Sequence, residues 1–216
     1  MKRFIIVVVL ALVGVVVPHD ASAQFDLSKI GGMLGGSSSQ PKTSPYQTLA
    51  DNAPAKGKIV GAWSYDSFNI EYLGNNSFAG SAIAQVELYA QQEVAAAGVT
   101  PGCYAITLRS NGRGVFMYGD YAYECGYSYD ASTAHVELNI AMQDGSPITC
   151  NGFVKMKGER LGFMLNAEDV VRAVAKLAPE VVADQTYLTI KSVVDSFPGI
   201  YITTYYNRYS YNKESE

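Results

Sequence analysis

Histidine is scarce in this 216-residue sequence, and of its two histidines only His135 lies beyond the first 23 residues. A histidine-rich metal site is therefore excluded, and the cysteines lack the Cys-x-x-Cys spacing of a zinc site. A hydrolase triad would need His135 to meet a nucleophile, but Ser128 and Ser132 are only its neighbours in the sequence. We predict a surface histidine, no metal site and no cofactor.

Basic residues are also few. The chain has 16 Lys and Arg against 20 Asp and Glu, a formal net charge of −4. Nucleic-acid binding requires concentrated positive charge, so we expect no nucleic-acid partner. No glycine-rich phosphate loop lies between a strand and a helix. Glu124 and Glu137 could be neighbours across two strands and act as an acid–base pair. A solvated acidic face explains them better, and we predict that the protein is not an enzyme.

Only one long hydrophobic run is present. It spans Phe4–Val17, follows Lys2 and Arg3, and precedes the small residues at 21–23. This order is typical of a cleaved signal peptide over residues 1–23. The run is short for a membrane-spanning helix, although a retained anchor is the alternative. With no cysteine after the cleavage site for a lipid, we expect export to the periplasm or cell exterior, and no transmembrane segment after cleavage.

Cysteine is sparse too, since Cys103, Cys125 and Cys150 make an odd set for an oxidising compartment. Cys125 and Cys150 are predicted on one face, but on strands separated by a third. Two strand spacings are about 9–10 Å, too far for a disulfide. We expect three buried or half-buried thiols that pack as small hydrophobic groups. A single disulfide among them is left open.

Residues 24–57 are rich in glycine, serine and proline. Such a composition buries too little apolar surface to offset the entropy of ordering it. It predicts a flexible leader over 24–57, a domain over 58–209 and a polar tail over 210–216. A short apolar cluster near the start of the leader could contact a membrane or a partner, but a spacer is the plainer interpretation.

The predicted domain begins with the strand that carries the single tryptophan, Lys58–Tyr65. Gly61 lies two residues before Trp63, and such a Gly-x-Trp opening is typical of small antiparallel barrels whose indole closes one end. A second extended piece follows at Phe68–Leu73. Apolar residues spaced by three and four then predict a helix over Ser77–Ala97.

Between Cys103 and Leu165 apolar residues alternate and turn signals recur. Asn111-Gly112 is the strongest hairpin signal, and six strands with short connections indicate a meander. Asn166 begins one helix, a second is predicted near Asp184–Ser196, and Ile200–Tyr209 is a final strand. An open meander would expose two edges. We therefore expect the final strand to pair with the tryptophan strand and close a barrel of about eight strands.

The order of these motifs is more specific than any one of them. The motifs are Gly61-Ala62-Trp63-Ser64-Tyr65, Gly98-Val99-Thr100-Pro101-Gly102, Asn111-Gly112, Asn166-Ala167-Glu168-Asp169-Val170-Val171 and Ser192-Val193-Val194-Asp195-Ser196. From Lys58 to Arg208 the chain resembles a family of exported, lipocalin-like proteins of Gram-negative anaerobes, described as a domain of unknown function.

The resemblance implies a mostly β fold: a lipocalin-like, antiparallel up-and-down barrel of about eight strands. One helix would follow the first strands, and a helix pair would precede the last strand. The family offers no established activity and no catalytic residue to carry over. Two features are particular to this chain, namely its three cysteines and the tyrosine-rich strand Tyr121–Tyr129.

Eight strands enclose either a filled core or one small ligand. Many predicted interior residues are tyrosines, whose buried hydroxyls need partners, so water, a polar ligand group or an open mouth is indicated. The predicted ligand-binding residues are Trp63, Tyr104, Ile106, Phe116, Tyr118, Tyr121, Tyr123 and Tyr127. We predict a small apolar or amphipathic ligand, with its apolar body buried and its polar end fixed by tyrosine hydroxyls.

The alternative is a packed barrel whose tyrosines reach the rims. The protein would then be a structural or envelope interaction protein. Its contact surface would be the outer stripe of the last strand, formed by Tyr201, Tyr205 and Tyr209.

Overall fold

The chain folds into a closed barrel of eight antiparallel strands. The computed structural model describes residues 44–76, 78–96, 98–141, 147–177 and 179–209. The strands are β1 (Gly61–Tyr72), β2 (Tyr104–Leu108), β3 (Arg113–Tyr118), β4 (Tyr121–Asp130), β5 (His135–Ala141), β6 (Pro147–Lys157), β7 (Arg160–Asn166) and β8 (Ile200–Arg208). The predicted signal peptide, residues 24–43 of the predicted leader and the 210–216 tail lie outside the described residues.

Helices flank the barrel in three places along the chain. They are α1 (Pro45–Asp51), α2 (Lys56–Ile59), α3 (Ala79–Ala96), α4 (Ala167–Leu177) and α5 (Gln185–Ser196), with a 3-10 helix (Pro179–Ala183) between α4 and α5. The predicted helix after the first strand and the predicted pair before the last strand are confirmed.

The predicted meander and its closure are also confirmed. β2 to β7 follow one another around the barrel, and β8 pairs with both β7 and β1. In the β2–β3 turn Gly112 has a φ of +80°, a backbone conformation that residues other than glycine adopt rarely. Asn111-Gly112 supplies it, as this hairpin signal predicts. Because every strand has two neighbours, the sheet has an inside.

β1 is one continuous strand of 12 residues, not the two extended pieces that the sequence indicates. Its register with β8 shifts between Tyr65 and Ser67, which bends the strand without ending its pairing. β1 pairs with β2 only over residues 61–64. Beyond that point α3 packs against β1.

The tryptophan closes one end of the barrel, which we call the closed end. Trp63 Nε1 donates a hydrogen bond to the carbonyl oxygen of Ile59 at 2.8 Å. The guanidinium of Arg208 lies over the indole, 4.8 Å from its centroid. Gly61 permits this packing, because a Cβ there would lie 3.0 Å from Arg208 Nη2. The Gly-x-Trp opening therefore has the role that its pattern predicts.

Residues 45–59 differ from the flexible leader that their composition indicates. They form α1 and α2, and Ile59 is completely buried. The hydroxyl of Tyr129 donates a 2.6 Å hydrogen bond to the carbonyl oxygen of Pro54. The groups that anchor this segment, Tyr129 and Trp63, follow it in the sequence. Local composition therefore could not indicate that it is ordered.

The opposite end of the barrel, which we call the helix end, is covered by α3, α4 and α5. α4 begins where Asn166 Oδ1 accepts a hydrogen bond from the backbone N–H of Glu168 at 2.8 Å. The buried Asp169 accepts hydrogen bonds from the backbone N–H and side-chain Nδ2 of Asn151 at 2.8 and 2.9 Å. Asn151 lies one residue beyond the pairing of β6 with β7, so Asp169 supplies the partner that β7 no longer provides.

No helix in the described part of the chain is both long enough and apolar enough to cross a membrane.

Candidate functional site

Seven of the eight predicted ligand-binding residues belong to the barrel core. Five are buried: Trp63, Tyr104, Ile106, Phe116 and Tyr127. Tyr118 and Tyr123 are half-buried and pack against the same core. The side chain of Tyr121 lies outside the described residues.

Four of these residues form a row across neighbouring strands. Trp63 lies opposite Ile106, Ile106 lies opposite Phe116, and Phe116 lies opposite Tyr123. Directly opposite residues share one face of a sheet, so the four line the same side of the barrel wall. Trp63 belongs both to this row and to the closed end, so the row extends from that end around the barrel wall.

The interior contains two tyrosines that the predicted set omits, Tyr65 and Tyr206. The rings of Tyr65 and Tyr104 are stacked with centroids 4.4 Å apart. Tyr206 meets these two rings edge-on at 6.3 and 5.9 Å, and meets Phe163 edge-on at 6.0 Å. The alternation of Tyr65 with Trp63, and of Tyr206 with Ile202, is the sequence signal that could have found them.

Two buried hydroxyls in this interior have no hydrogen-bond partner among the described residues, namely those of Thr204 and Tyr206, which we call the hydroxyl pair. Burial raises the pKa of Tyr206 to about 12, while the nearby Thr204 and Tyr104 act to lower it. These neighbours are close, but neither contact with Tyr206 has hydrogen-bond geometry. A buried hydroxyl without a partner loses its hydration with no compensation, so the pair is suited to receive a polar group.

An apolar cavity, which we call the helix chamber, lies between the helices and the helix end of the barrel. Its volume is about 30 Å³. Its lining is entirely aliphatic and consists of Ile70, Ile83, Val86, Ala90, Ala167, Val171, Ile190, Val193, Val194, Ile200 and Ile202. A site of this volume accommodates about one water molecule, and an aliphatic cavity tends to remain dry.

The helix chamber and the hydroxyl pair lie on one line along the barrel. Ile70 and Ile202 line the chamber and are opposite each other across β1 and β8. The next inward pair on these strands is Phe68 and Thr204. Two residues along a strand span about 6–7 Å. A molecule entering from the helix end would therefore meet aliphatic side chains first and hydroxyls next.

The tyrosines of β4 near the closed end have partners. The hydroxyl of Tyr127 donates to the carbonyl oxygen of Arg109 at 2.6 Å, and that of Tyr129 donates to Pro54 as described above. Burial raises the pKa of both phenols. These tyrosines reach the rim of the barrel, and their hydroxyls are satisfied there.

The three cysteines are free thiols, as predicted. Cys125 and Cys150 are buried and Cys103 is half-buried. Burial raises the pKa of both Cys125 and Cys150 to about 12, and it also raises that of Cys103. Few thiolates form at neutral pH, so the thiols behave as small hydrophobic groups.

The outer tyrosine stripe is not the exposed surface that the sequence indicates. Tyr209 is 51% exposed, but Tyr201 and Tyr205 are only 6% and 5% exposed, so the prediction of an exposed stripe is wrong for these two. The ring of Phe153 lies 5.7 Å from that of Tyr201, and α1 adds Tyr46 beside it.

Tyr205 is covered by long charged side chains. Lys155, Lys157 and Arg160 lie over its ring at 5.6, 5.5 and 5.2 Å. Its ring also lies against Gly162 of the neighbouring strand, where a Cβ would be 3.1 Å away. Cationic side chains that lie along an aromatic face bury it while their charged ends stay in water.

The hydrolytic arrangements considered from the sequence are not assembled. Ser132 Oγ donates to Asp130 at 2.7 Å, and the ring of His135 packs edge-on against Phe153 at 6.0 Å. Glu137 lies opposite Ser128 in the register of β4 and β5. Ser128 is four residues from Glu124 along β4, so the two carboxylates are not directly opposite each other. Among the described residues no three His, Cys, Asp or Glu side chains are grouped to hold a metal ion.

Comparison with known proteins places this barrel in a family. The chain matches the lipocalin-like domain (DUF4923) over residues 44–208, which include every strand and described helix. It is also similar to a solved DUF4847 family protein from Bacteroides vulgatus ATCC 8482, with 13% identity and a TM-score of 0.34, over 69% of this chain and 94% of that one. No curated protein matches the chain. The predicted resemblance is thus confirmed: the chain belongs to the lipocalin-like domain family DUF4923.

Proposed function

We propose that the protein binds a small apolar or amphipathic molecule inside the barrel. The apolar body lies in the helix chamber, and the polar end meets the hydroxyl pair. The observation that carries this proposal is the unpartnered state of Thr204 and Tyr206, one step inward from an aliphatic chamber. A few polar groups in a mostly apolar concave site are typical of ligand pockets, where they fix orientation.

The chamber must enlarge to hold such a ligand. Its present volume of about 30 Å³ suits a methyl group or one water, whereas ligand pockets are usually several hundred Å³. Eight of the eleven lining residues belong to α3, α4 and α5, and three belong to strands β1 and β8. Outward movement of the helices therefore enlarges the chamber while the hydrogen-bonded barrel stays closed.

The alternative function, a tyrosine-rich contact surface, has weaker support. A packed core agrees with the buried row from Trp63 to Phe116. However, Tyr201 and Tyr205 are covered by the protein's own side chains, which leaves Tyr209 as the exposed member. Ligand binding without catalysis is the function that the site supports better.

Export is part of the same proposal. The basic start, the apolar run and the small residues at 21–23 support cleavage after Ala23 and release outside the cytoplasm. N-terminal sequencing of protein recovered from cells that express the full chain should read from Gln24. A chain that still begins at Met1 would overturn this part.

Native mass spectrometry tests the binding proposal, with protein purified without organic solvent and measured before and after 1-octanol is added. The wild type should carry a small molecule, either one that co-purifies or the added 1-octanol, and denaturation should release it. Ala90→Leu fills the chamber from α3 and should abolish this mass. Ala84→Leu, on the exposed face of the same helix, should retain it.

Two results would contradict the proposal. One is a wild type that carries no small molecule and does not take up 1-octanol. The other is a folded Ala90→Leu variant that binds as well as the wild type. If Ala90→Leu does not fold, Val193→Leu adds a single methylene to the same chamber and replaces it.

A further inference from the structure

The groups that would meet the ligand's polar end are neutral. Thr204 and Tyr206 each present a hydroxyl, which donates one hydrogen bond and accepts others. Both residues are at most 1% exposed, and neither hydroxyl has a partner. The rings of Tyr65, Tyr104 and Phe163 surround Tyr206. This environment offers hydrogen bonds but no opposite charge.

The surroundings of the hydroxyl pair disfavour a negative charge. Deprotonation of Tyr206 or Tyr104 would create an anion inside the barrel, and burial raises the pKa of both phenols, that of Tyr206 to about 12. Burial likewise raises the pKa of the Cys125 thiol, which faces the same interior. A ligand carboxylate at the hydroxyl pair would meet the same loss of hydration.

The nearby cationic side chains are engaged elsewhere. Lys155 pairs with Glu71 and Arg160 pairs with Asp66, and both pairs lie on the outer face of the wall. Arg208 lies over the indole at the closed end and donates to the carbonyl oxygens at positions 58 and 60. A buried anion therefore has no described guanidinium or ammonium within the site to pair with.

From this arrangement we propose that the ligand's polar end is uncharged, such as an alcohol, ketone or amide, and is neither a carboxylate nor an ammonium. The inference rests on the proposed function and specifies its ligand class. An unpaired charge transferred from water into such a site loses far more hydration free energy than a hydroxyl group does. A neutral group instead satisfies Thr204 and Tyr206 at little cost.

Titration calorimetry at neutral pH with three ligands of matched chain tests the inference: 1-octanol, octanoate and octylamine, the last as its ammonium. 1-Octanol should bind at least about tenfold more tightly than either charged ligand, since desolvation of the charge is uncompensated. Thr204→Val and Tyr206→Phe should each weaken binding of 1-octanol by roughly 2–10-fold, the value of one hydrogen bond.

The control variant is Thr203→Val, because Thr203 is the neighbouring residue of β8, is completely buried and also has an unpartnered hydroxyl, but faces outward. Its affinity for 1-octanol should equal that of the wild type. Octanoate or octylamine binding as tightly as 1-octanol would overturn the inference and leave the proposed function standing. Failure of all three ligands to bind would overturn both.

Discussion

Replacing Tyr206 with phenylalanine removes one oxygen from the centre of the barrel and leaves the ring in place. The ring keeps its edge contacts with Tyr65, Tyr104 and Phe163, so packing changes little. The oxygen that is removed is completely buried and unpartnered. The ligand-free protein should therefore become more stable, which is an unusual result for a core substitution.

The size of the effect follows from the cost of burying an unpaired hydroxyl, roughly 1–3 kcal/mol. We expect Tyr206→Phe to raise the free energy of unfolding by about 1–2 kcal/mol, within that range. In a domain of this length each kcal/mol corresponds to roughly 2–4 °C in Tm. Thr204→Val should act in the same direction.

Urea unfolding followed by circular dichroism measures this effect, on protein stripped of any bound molecule, with an unchanged m value as the check on two-state behaviour. Tyr129→Phe is the matched control, since its hydroxyl donates to the carbonyl oxygen of Pro54 at 2.6 Å. It should lose about 0.5–1.5 kcal/mol, so the same substitution has opposite signs at the two sites. Loss of more than about 1 kcal/mol in Tyr206→Phe would show that its hydroxyl is partnered and would refute the reasoning.

Three other predictions follow from the packing. Gly152→Ala places a Cβ against the backbone oxygen of Met164 in β7, so the variant should lose several kcal/mol of unfolding free energy or fail to fold, as thermal unfolding would show. The control is Gly80→Ala on α3, whose Cβ would meet nothing within 4 Å and which should leave Tm unchanged or higher. Equal Tm values would contradict this packing. Asp169→Ala should cost about 2–3 kcal/mol in urea unfolding, because Asn151 loses two charge-assisted hydrogen bonds; a change below about 0.5 kcal/mol would contradict this role. In peptide mapping after iodoacetamide treatment at pH 8, Cys103 should be labelled before the other two thiols, whose pKa burial raises to about 12 and which therefore form little thiolate at this pH. Equal labelling of all three would contradict their burial.

The sequence was sufficient for the barrel topology because the strands, and the helices α3, α4 and α5, carry local signals. Alternating apolar residues and Asn111-Gly112 specify the meander, and the helical period and Asn166 specify α3 and α4. Closure of the barrel followed from a general argument about exposed edges. That argument holds without any knowledge of which residues meet across β1 and β8.

The parts that the sequence did not reveal depend on contacts between distant residues. Tyr201 alternates as an outward residue should, but its burial comes from Phe153 and from Tyr46 of α1. The alternation of residues along a strand predicts which face of the sheet a side chain occupies, but it does not predict which other residues cover that face. Likewise α1 and α2 are anchored by residues that follow them in the chain, so their composition resembles that of a linker.

The hydroxyl pair was beyond sequence reasoning for a different reason. The abundance of tyrosine correctly indicated that buried hydroxyls would need partners. Which hydroxyls find a backbone carbonyl, as Tyr127 does, and which do not, as Tyr206 does not, depends on atomic positions. The barrel interior was therefore predictable from the sequence, but the helix chamber and the hydroxyl pair, which contain none of the eight predicted ligand-binding residues, were not.

Isoleucine methyl NMR tests the binding site most directly, because isoleucines lie both in the chamber and at the opposite end of the barrel. On titration with 1-octanol the account predicts saturable shifts of Ile70, Ile190 and Ile202, which line the helix chamber. It predicts no shift of Ile59, which is buried at the closed end, where its carbonyl oxygen accepts the hydrogen bond of Trp63. Chamber methyls that do not move at saturating 1-octanol would contradict the claim that the barrel takes up a ligand from its helix end.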